Sequence, residues 1–208
     1  MRRIKGAYKS SGAQKEFNVR PVMALACEGR TEAQYASYIG RTSPVRIKPI
    51  VNPGVQGEHL VDMALEYAAR LRRTYSDAQI TPAVMYDLES YSTRNLEFAR
   101  IVVKYAQRKK VKIWVNIPSI ERWFVLHYGH FSIHRSKKSA TAELVKRLSV
   151  ARSPQYKKPG NSGFYTRLIP LTRTAIDNCT RSHELDIGSK ALPCLCSFII
   201  FIESDIGG

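Results

Sequence analysis

Acidic residues are scarce in this 208-residue chain: 17, against 33 lysines and arginines, for a formal net charge of +16. That balance speaks to partners rather than to fold. Nucleic acid is the commonest polyanion for so basic a protein, with anionic membrane surfaces as the competitor. Cysteine is sparse too. Of the four, only Cys194 and Cys196 stand close, and Cys-x-Cys is not a usual zinc spacing. No disulfide framework is visible, and Cys27, closing an apolar run, reads as a small core residue. Long apolar runs are missing as well: Leu192 to Ile202 falls short of the ~20 residues that span a bilayer. The first twenty residues are basic and polar, with no leader-like apolar stretch. A cytoplasmic protein without a membrane anchor is the default expectation. There is no Walker A loop and no Gly-x-Ser-x-Gly elbow, so neither P-loop ATP hydrolysis nor an elbow serine nucleophile is expected.

What is present is a run of alternating apolar segments. Residues 1–20 carry six basic side chains and one acid and read as a flexible basic arm. Strands are expected at Val22–Cys27, Val45–Val51, Ala83–Tyr86 and Val111–Ile117, the second of them at a sheet edge. Helices are expected from near Thr31 to Gly40, from Glu58 to about Tyr75, and from about Arg94 to Arg108. Leu60, Met63, Ala64, Tyr67, Ala68 and Leu71 form one apolar stripe at helical spacing. This β-α-β-α-β-α-β order argues an α/β fold with a largely parallel sheet flanked by helices. After Pro118, Ser119–Tyr128 reads as a densely apolar helix. Beyond it come helices at Ala140–Val150 and Phe164–Asn178, the latter interrupted at Pro170, with a loop over Ser153–Gly163. The expected organisation is a basic arm (1–20), an α/β domain (21–130) and a basic, mainly helical extension (131–208).

Two apolar strands end on acids. Pro21-Val-Met-Ala-Leu-Ala-Cys27 runs into Glu28-Gly-Arg-Thr-Glu32, and Pro82-Ala-Val-Met-Tyr86 runs into Asp87-Leu-Glu89. A parallel strand that stops on a carboxylate places it at the carboxyl edge of the sheet, where ligand sites of open α/β folds gather. In an extended strand Asp87 and Glu89 would share one face. Glu28, Asp87 and Glu89 are therefore candidate catalytic and metal-ligating residues for Mg²⁺ or Mn²⁺, stabilising charge on a scissile phosphate. Taken singly, each acid could equally be a helix cap. Thr31 is a candidate cap of the first helix.

Leu25-Ala-Cys-Glu-Gly-Arg-Thr-Glu32, Met85-Tyr-Asp-Leu-Glu89 and Ile117-Pro-Ser-Ile-Glu-Arg-Trp-Phe-Val-Leu-His127 resemble three successive blocks of the RloB-like family, a branch of the Toprim superfamily. The resemblance covers residues 20–130 closely and 131–180 loosely. It implies a Toprim-like sheet, with Glu28 matching the first-strand glutamate and Asp87 and Glu89 matching the Asp-x-Asp pair. It also implies a Mg²⁺ site for nucleic-acid cleavage or joining, AAA-type ATPase partners, and a role in phage defence by abortive-infection or restriction-linked systems. Position 89 is Glu where many relatives carry Asp. Glu121 and His127 match the third block, and with Glu32 they are possible supporting residues around the acids. The closing segment, Ala191-Leu-Pro-Cys194 followed by Ser197-Phe-Ile-Ile-Phe-Ile202, departs from the family pattern.

The remaining candidates concern nucleic acid. Lys109, Lys110, Lys137, Lys138, Lys157 and Lys158 lie in basic clusters suited to a phosphate backbone, and Tyr156 stands beside two of them as a possible base-stacking residue. His127, His130 and His134 do not make a zinc site on sequence grounds, because Arg135, Lys137 and Lys138 flank them. Trp114, Trp123 and Phe124 read as core. The leading expectation is a metal-dependent nuclease, or the nuclease subunit of a defence pair, acting on DNA or RNA, alone or as an oligomer. The alternative is a non-catalytic module that binds nucleic acid or an ATPase through a degenerate site.

Overall fold

The computed structural model describes residues 19–90, 92–129, 136–151, 156, 162–186 and 192–204. Strand β1 (Val22–Cys27) leads to helix α1 (Arg30–Ile39), then β2 (Arg46–Val51), α2 (Glu58–Thr74), β3 (Ile80–Asp87), α3 (Thr93–Arg108) and β4 (Lys112–Asn116). Among the described residues five α-helices follow: α4 (Ile120–Leu126), α5 (Lys137–Val150), α6 (Ser162–Leu168), α7 (Thr172–Asp186) and α8 (Leu195–Ser204). A 3₁₀ turn at Ile169–Leu171 separates α6 from α7, because Pro170 has no amide to continue the helical ladder. The basic arm expected over 1–20 lies outside the described residues apart from Val19 and Arg20, as do Lys157 and Lys158.

The sheet is all parallel, in the order β2-β1-β3-β4, and α/β architecture with flanking helices is as the sequence implied and consistent with a Toprim-like fold. β1 is buried along its whole length, and its side chains alternate between two apolar layers. Met23, Leu25 and Cys27 pack with α1 and the helices after β4, while Val22, Ala24 and Ala26 face α2 and α3. A strand covered on both faces has no need of polar alternation, which is why it reads as a continuous apolar run. β2 is an edge strand. β4 is the other edge, and its Val115 amide donates to the Pro193 carbonyl at 2.7 Å, so the segment before α8 covers it.

From β1 the chain moves outward to β2, then crosses back to place β3 on the other side. The crossovers thus reverse between β1 and β3, and a crevice opens at their carboxyl ends. Two further details set the site. α5 begins at Lys137, three residues before the expected Ala140, because Ser136 and Ser139 form a reciprocal cap. Its start is pinned beside β3 by the Lys137 amide donating to the Glu89 carbonyl (3.2 Å).

Candidate metal centre

Parallel register brings the two acidic strand ends to the same edge of the sheet. Cys27 pairs with Met85, so Glu28 comes level with Tyr86 and Asp87 follows one residue further along at the same carboxyl edge. The Glu28 amide extends the ladder to the Met85 carbonyl (3.3 Å), and its carboxylate accepts from the Asp87 amide (3.3 Å) and from Gln56 Nε2 (2.7 Å). α1 then turns Glu32 back into the same crevice. The N-cap of α1 is Gly29, without a side-chain cap, so Thr31 does not play the expected capping part. Gly29 matters for space: a Cβ there would overlap Oε2 of Glu32. Glu32 is 4% exposed, and its Oε2 is buried without any hydrogen-bond partner.

Asp87 is held on three sides. Oδ1 accepts from Asn116 Nδ2 and from the Ile120 amide, both at 3.0 Å, and Oδ2 faces the Lys137 ammonium at 3.1 Å. Glu121, in the first turn of α4, is buried and accepts from Ser119 Oγ (2.6 Å) and the Tyr156 hydroxyl (2.9 Å). Two residues on, Trp123 points into the core and donates to the Tyr35 hydroxyl (2.5 Å), locking α4 to α1. The Glu-x-Trp pair of the third motif thus divides its work between the site and the core.

Burial dominates the electrostatics. It raises the pKa of Glu28, and with the added charge of Asp87 it pushes Glu32 up to about 8. Burial also raises Asp87, against the pull of Lys137. Burial alone would lower Lys137, but the Asp87 carboxylate outweighs it and the ammonium is favoured. Carboxyls crowded in this way hold protons or a cation. Glu28, Glu32 and Asp87 offer oxygen ligands, the kind a hard divalent cation takes, and Glu32 Oε2 lacks a donor, but in this arrangement the three carboxylates do not bring three oxygens within 4.8 Å of one another. Beside Asp87 a cavity of about 160 Å³, lined by Gln56, Tyr86, Glu89, Asn95 and Phe98, opens onto the sheet edge.

The other candidates are placed as follows. β3 ends at Asp87, and Glu89 sits at φ 62 with its side chain 62% exposed, so the shared extended face expected of Asp87 and Glu89 is not formed. Glu89 instead approaches Lys137 at 3.9 Å. Lys137 belongs to the acidic crevice rather than to a basic surface. Lys138 is exposed next to it. Lys109 and Lys110 are exposed between α3 and β4, at the opposite edge of the sheet from the acids, and Lys109 lies over Tyr105. His127 is not brought to Glu121. Its Nδ1 bonds the Trp123 carbonyl (2.9 Å), its ring packs edge-on against Trp123, and burial drives its pKa down to about 4. Tyr156 is not a free stacking platform: its ring packs against Phe124 and Phe164, and its hydroxyl donates to Glu121. Asn116, Gln56 and Ser119 carry no chemical signature in sequence, and only the register places them.

A protein-family model described as RloB-like protein matches residues 23–199. The chain belongs to the RloB-like family. The RloB-like match runs through α7 and into α8, so residues 191–194 and the start of the 197–202 run lie within the family's span, which ends at residue 199. No curated protein and no solved structure matches the chain. Among the described residues no helix is long and apolar enough to cross a membrane.

Proposed function

We propose that this RloB-like protein is a Mg²⁺- or Mn²⁺-dependent nuclease whose centre is Glu28, Glu32 and Asp87 at the β1/β3 crevice. The observation that carries the reading is the buried Glu32 oxygen with no donor, on a carboxyl that feels the charge of Asp87. A bound ion would polarise a phosphoryl oxygen and lower the pKa of a nucleophilic water. The chain's own residues supply the rest. Asn116 and the Ile120 amide fix the Asp87 rotamer, Gln56 fixes Glu28, and Gly29 leaves room for Glu32 to fold inward. Lys137, anchored on Asp87, holds positive charge where an anionic phosphate would approach. The net charge of +16 suits a nucleic-acid substrate, whose binding should weaken steeply with salt. The phage-defence setting, with an AAA-type ATPase as partner, rests on the family resemblance.

One observation favours a second reading, a non-catalytic module that binds nucleic acid or an ATPase. Lys137 already offsets Asp87, as an ammonium replacing a lost metal would. Cleavage of labelled single- and double-stranded DNA and RNA, with and without Mn²⁺, separates the two. The nuclease reading expects metal-dependent cleavage that falls by about 10²–10³-fold in Asp87→Asn while binding persists. Binding without cleavage by the wild type, with and without an ATPase partner, supports the module instead.

A further inference from the structure

We propose that Cys179, Cys194 and Cys196 form a second cation site, one that takes a soft divalent transition metal of the zinc class. Cys179 stands fifteen residues before the Cys194/Cys196 pair, yet the three sulfur atoms all lie within 4.8 Å of one another. None of the three is in a disulfide; Cys179 and Cys196 are buried and Cys194 is half-buried. The Cys179 and Cys194 sulfurs are 3.7 Å apart. Two thiolates on a tetrahedral zinc, each with a Zn–S bond of about 2.3 Å, are separated by about 3.8 Å. A disulfide needs about 2.05 Å and uses two sulfurs, leaving the third without a role.

The fold explains how an unusual spacing becomes usable. The Cys194 carbonyl accepts from Ser197 Oγ (2.6 Å) and from the Phe198 amide (3.3 Å), so α8 starts at this residue. Cys194 precedes the helix and Cys196 lies in its first turn. The backbone changes direction between them, and both sulfurs meet Cys179 of α7. Cys179 and Cys194 also line a cavity of about 30 Å³, room for one water as a fourth ligand. On binding, each thiol gives up its proton to solvent, so loading is favoured as pH rises. The same cavity is lined by Asn116 and Ser119, the residues that hold Asp87 and Glu121. A metal here would clip α7 to α8 behind the acidic centre. The inference stands apart from the nuclease reading.

Metal analysis of the full chain purified without chelators, followed by Co²⁺ exchange under reducing conditions, tests it. The expected result is one zinc-class ion per chain and a cobalt spectrum with tetrahedral bands and sulfur-to-cobalt charge transfer. That spectrum should vanish in Cys179→Ser, Cys194→Ser and Cys196→Ser. It should persist in Cys27→Ala and in Asp87→Asn, which separates this site from the acidic one. A folded, reduced wild type with no thiolate–cobalt band overturns the proposal, whatever the serine variants do. So does a band that survives Cys179→Ser, or a Cys179–Cys194 disulfide in protein that takes up no cobalt after reduction.

Discussion

The carboxylates at the sheet edge and the thiols behind β4 are assembled in opposite ways. Glu28 and Asp87 are neighbours because parallel strands in register must end together, and the crossover reversal opens a crevice where they end. The thiols meet only because α7 packs against the start of α8, a matter of helix docking that no local pattern encodes. The first cluster presents hard oxygen ligands and the second soft sulfur ligands. α4 adjoins both: Glu121 sits near its start, and Leu126, near its end, lines the cysteine cavity and accepts from Asn178 of α7 (2.8 Å). A difference in assembly thus goes with a difference in donor chemistry, with one short helix between the two clusters.

The sharpest way to break this comparison is a reciprocal pair of variants. Asp87→Asn should abolish Mn²⁺-dependent cleavage, by about 10²–10³-fold, and leave the cobalt–thiolate spectrum intact. Cys196→Ser should do the reverse to the spectrum. Loss of both signals in either variant would merge the two sites into one.

The next effect is on α4. His127 is 2% exposed and neutral in the folded state, with its pKa lowered from 6.5 to about 4 by burial. The unfolded chain takes up the proton first, so this stabilisation is complete above pH 6.5 and is lost as pH falls toward 4. Denaturant titrations should show a loss on the order of 3 kcal/mol over that window, and His127→Phe should flatten that part of the slope. Tyr156→Phe should cost about 1.5–3 kcal/mol by removing a hydroxyl donor from the buried Glu121, with thermal unfolding as the readout. The cobalt spectrum should not change in that variant. Smallest is Gly29→Ala. Its Cβ displaces the Glu32 carboxylate, so Mn²⁺ affinity should fall about tenfold, or ~1.4 kcal/mol, with little change in unfolding.

Much of the sheet was legible because a doubly covered strand leaves few choices. β1 reads directly from its apolar run, and the alternation of strands with amphipathic helices implies parallel pairing. Glu28 and Asp87 were legible for the same reason. Glu89 was misplaced because periodicity assumes the strand continues, whereas the chain turns to positive φ there and its amide bonds the Pro118 carbonyl (2.7 Å). Lys137 read as surface charge because composition cannot show that α5 starts against β3. Glu32 read as peripheral because the room left by Gly29 is invisible without the helix turn. The cysteines stayed silent because Cys179 and the Cys194/Cys196 pair meet only in three dimensions.

The central claim is that the crevice holds a hard cation through Glu32 as well as the strand-end acids. Titration of Mn²⁺ into the metal-free chain, wild type against Glu32→Gln, tests it most directly. The account predicts saturable binding in the wild type and a loss of at least about tenfold in affinity in the variant. Near neutral pH the metal-free variant should be no less stable, since Glu32, pushed up to about 8, is mostly protonated there and the amide replaces a neutral carboxyl. Equal affinity in the two proteins, or no binding to the wild type, would contradict it.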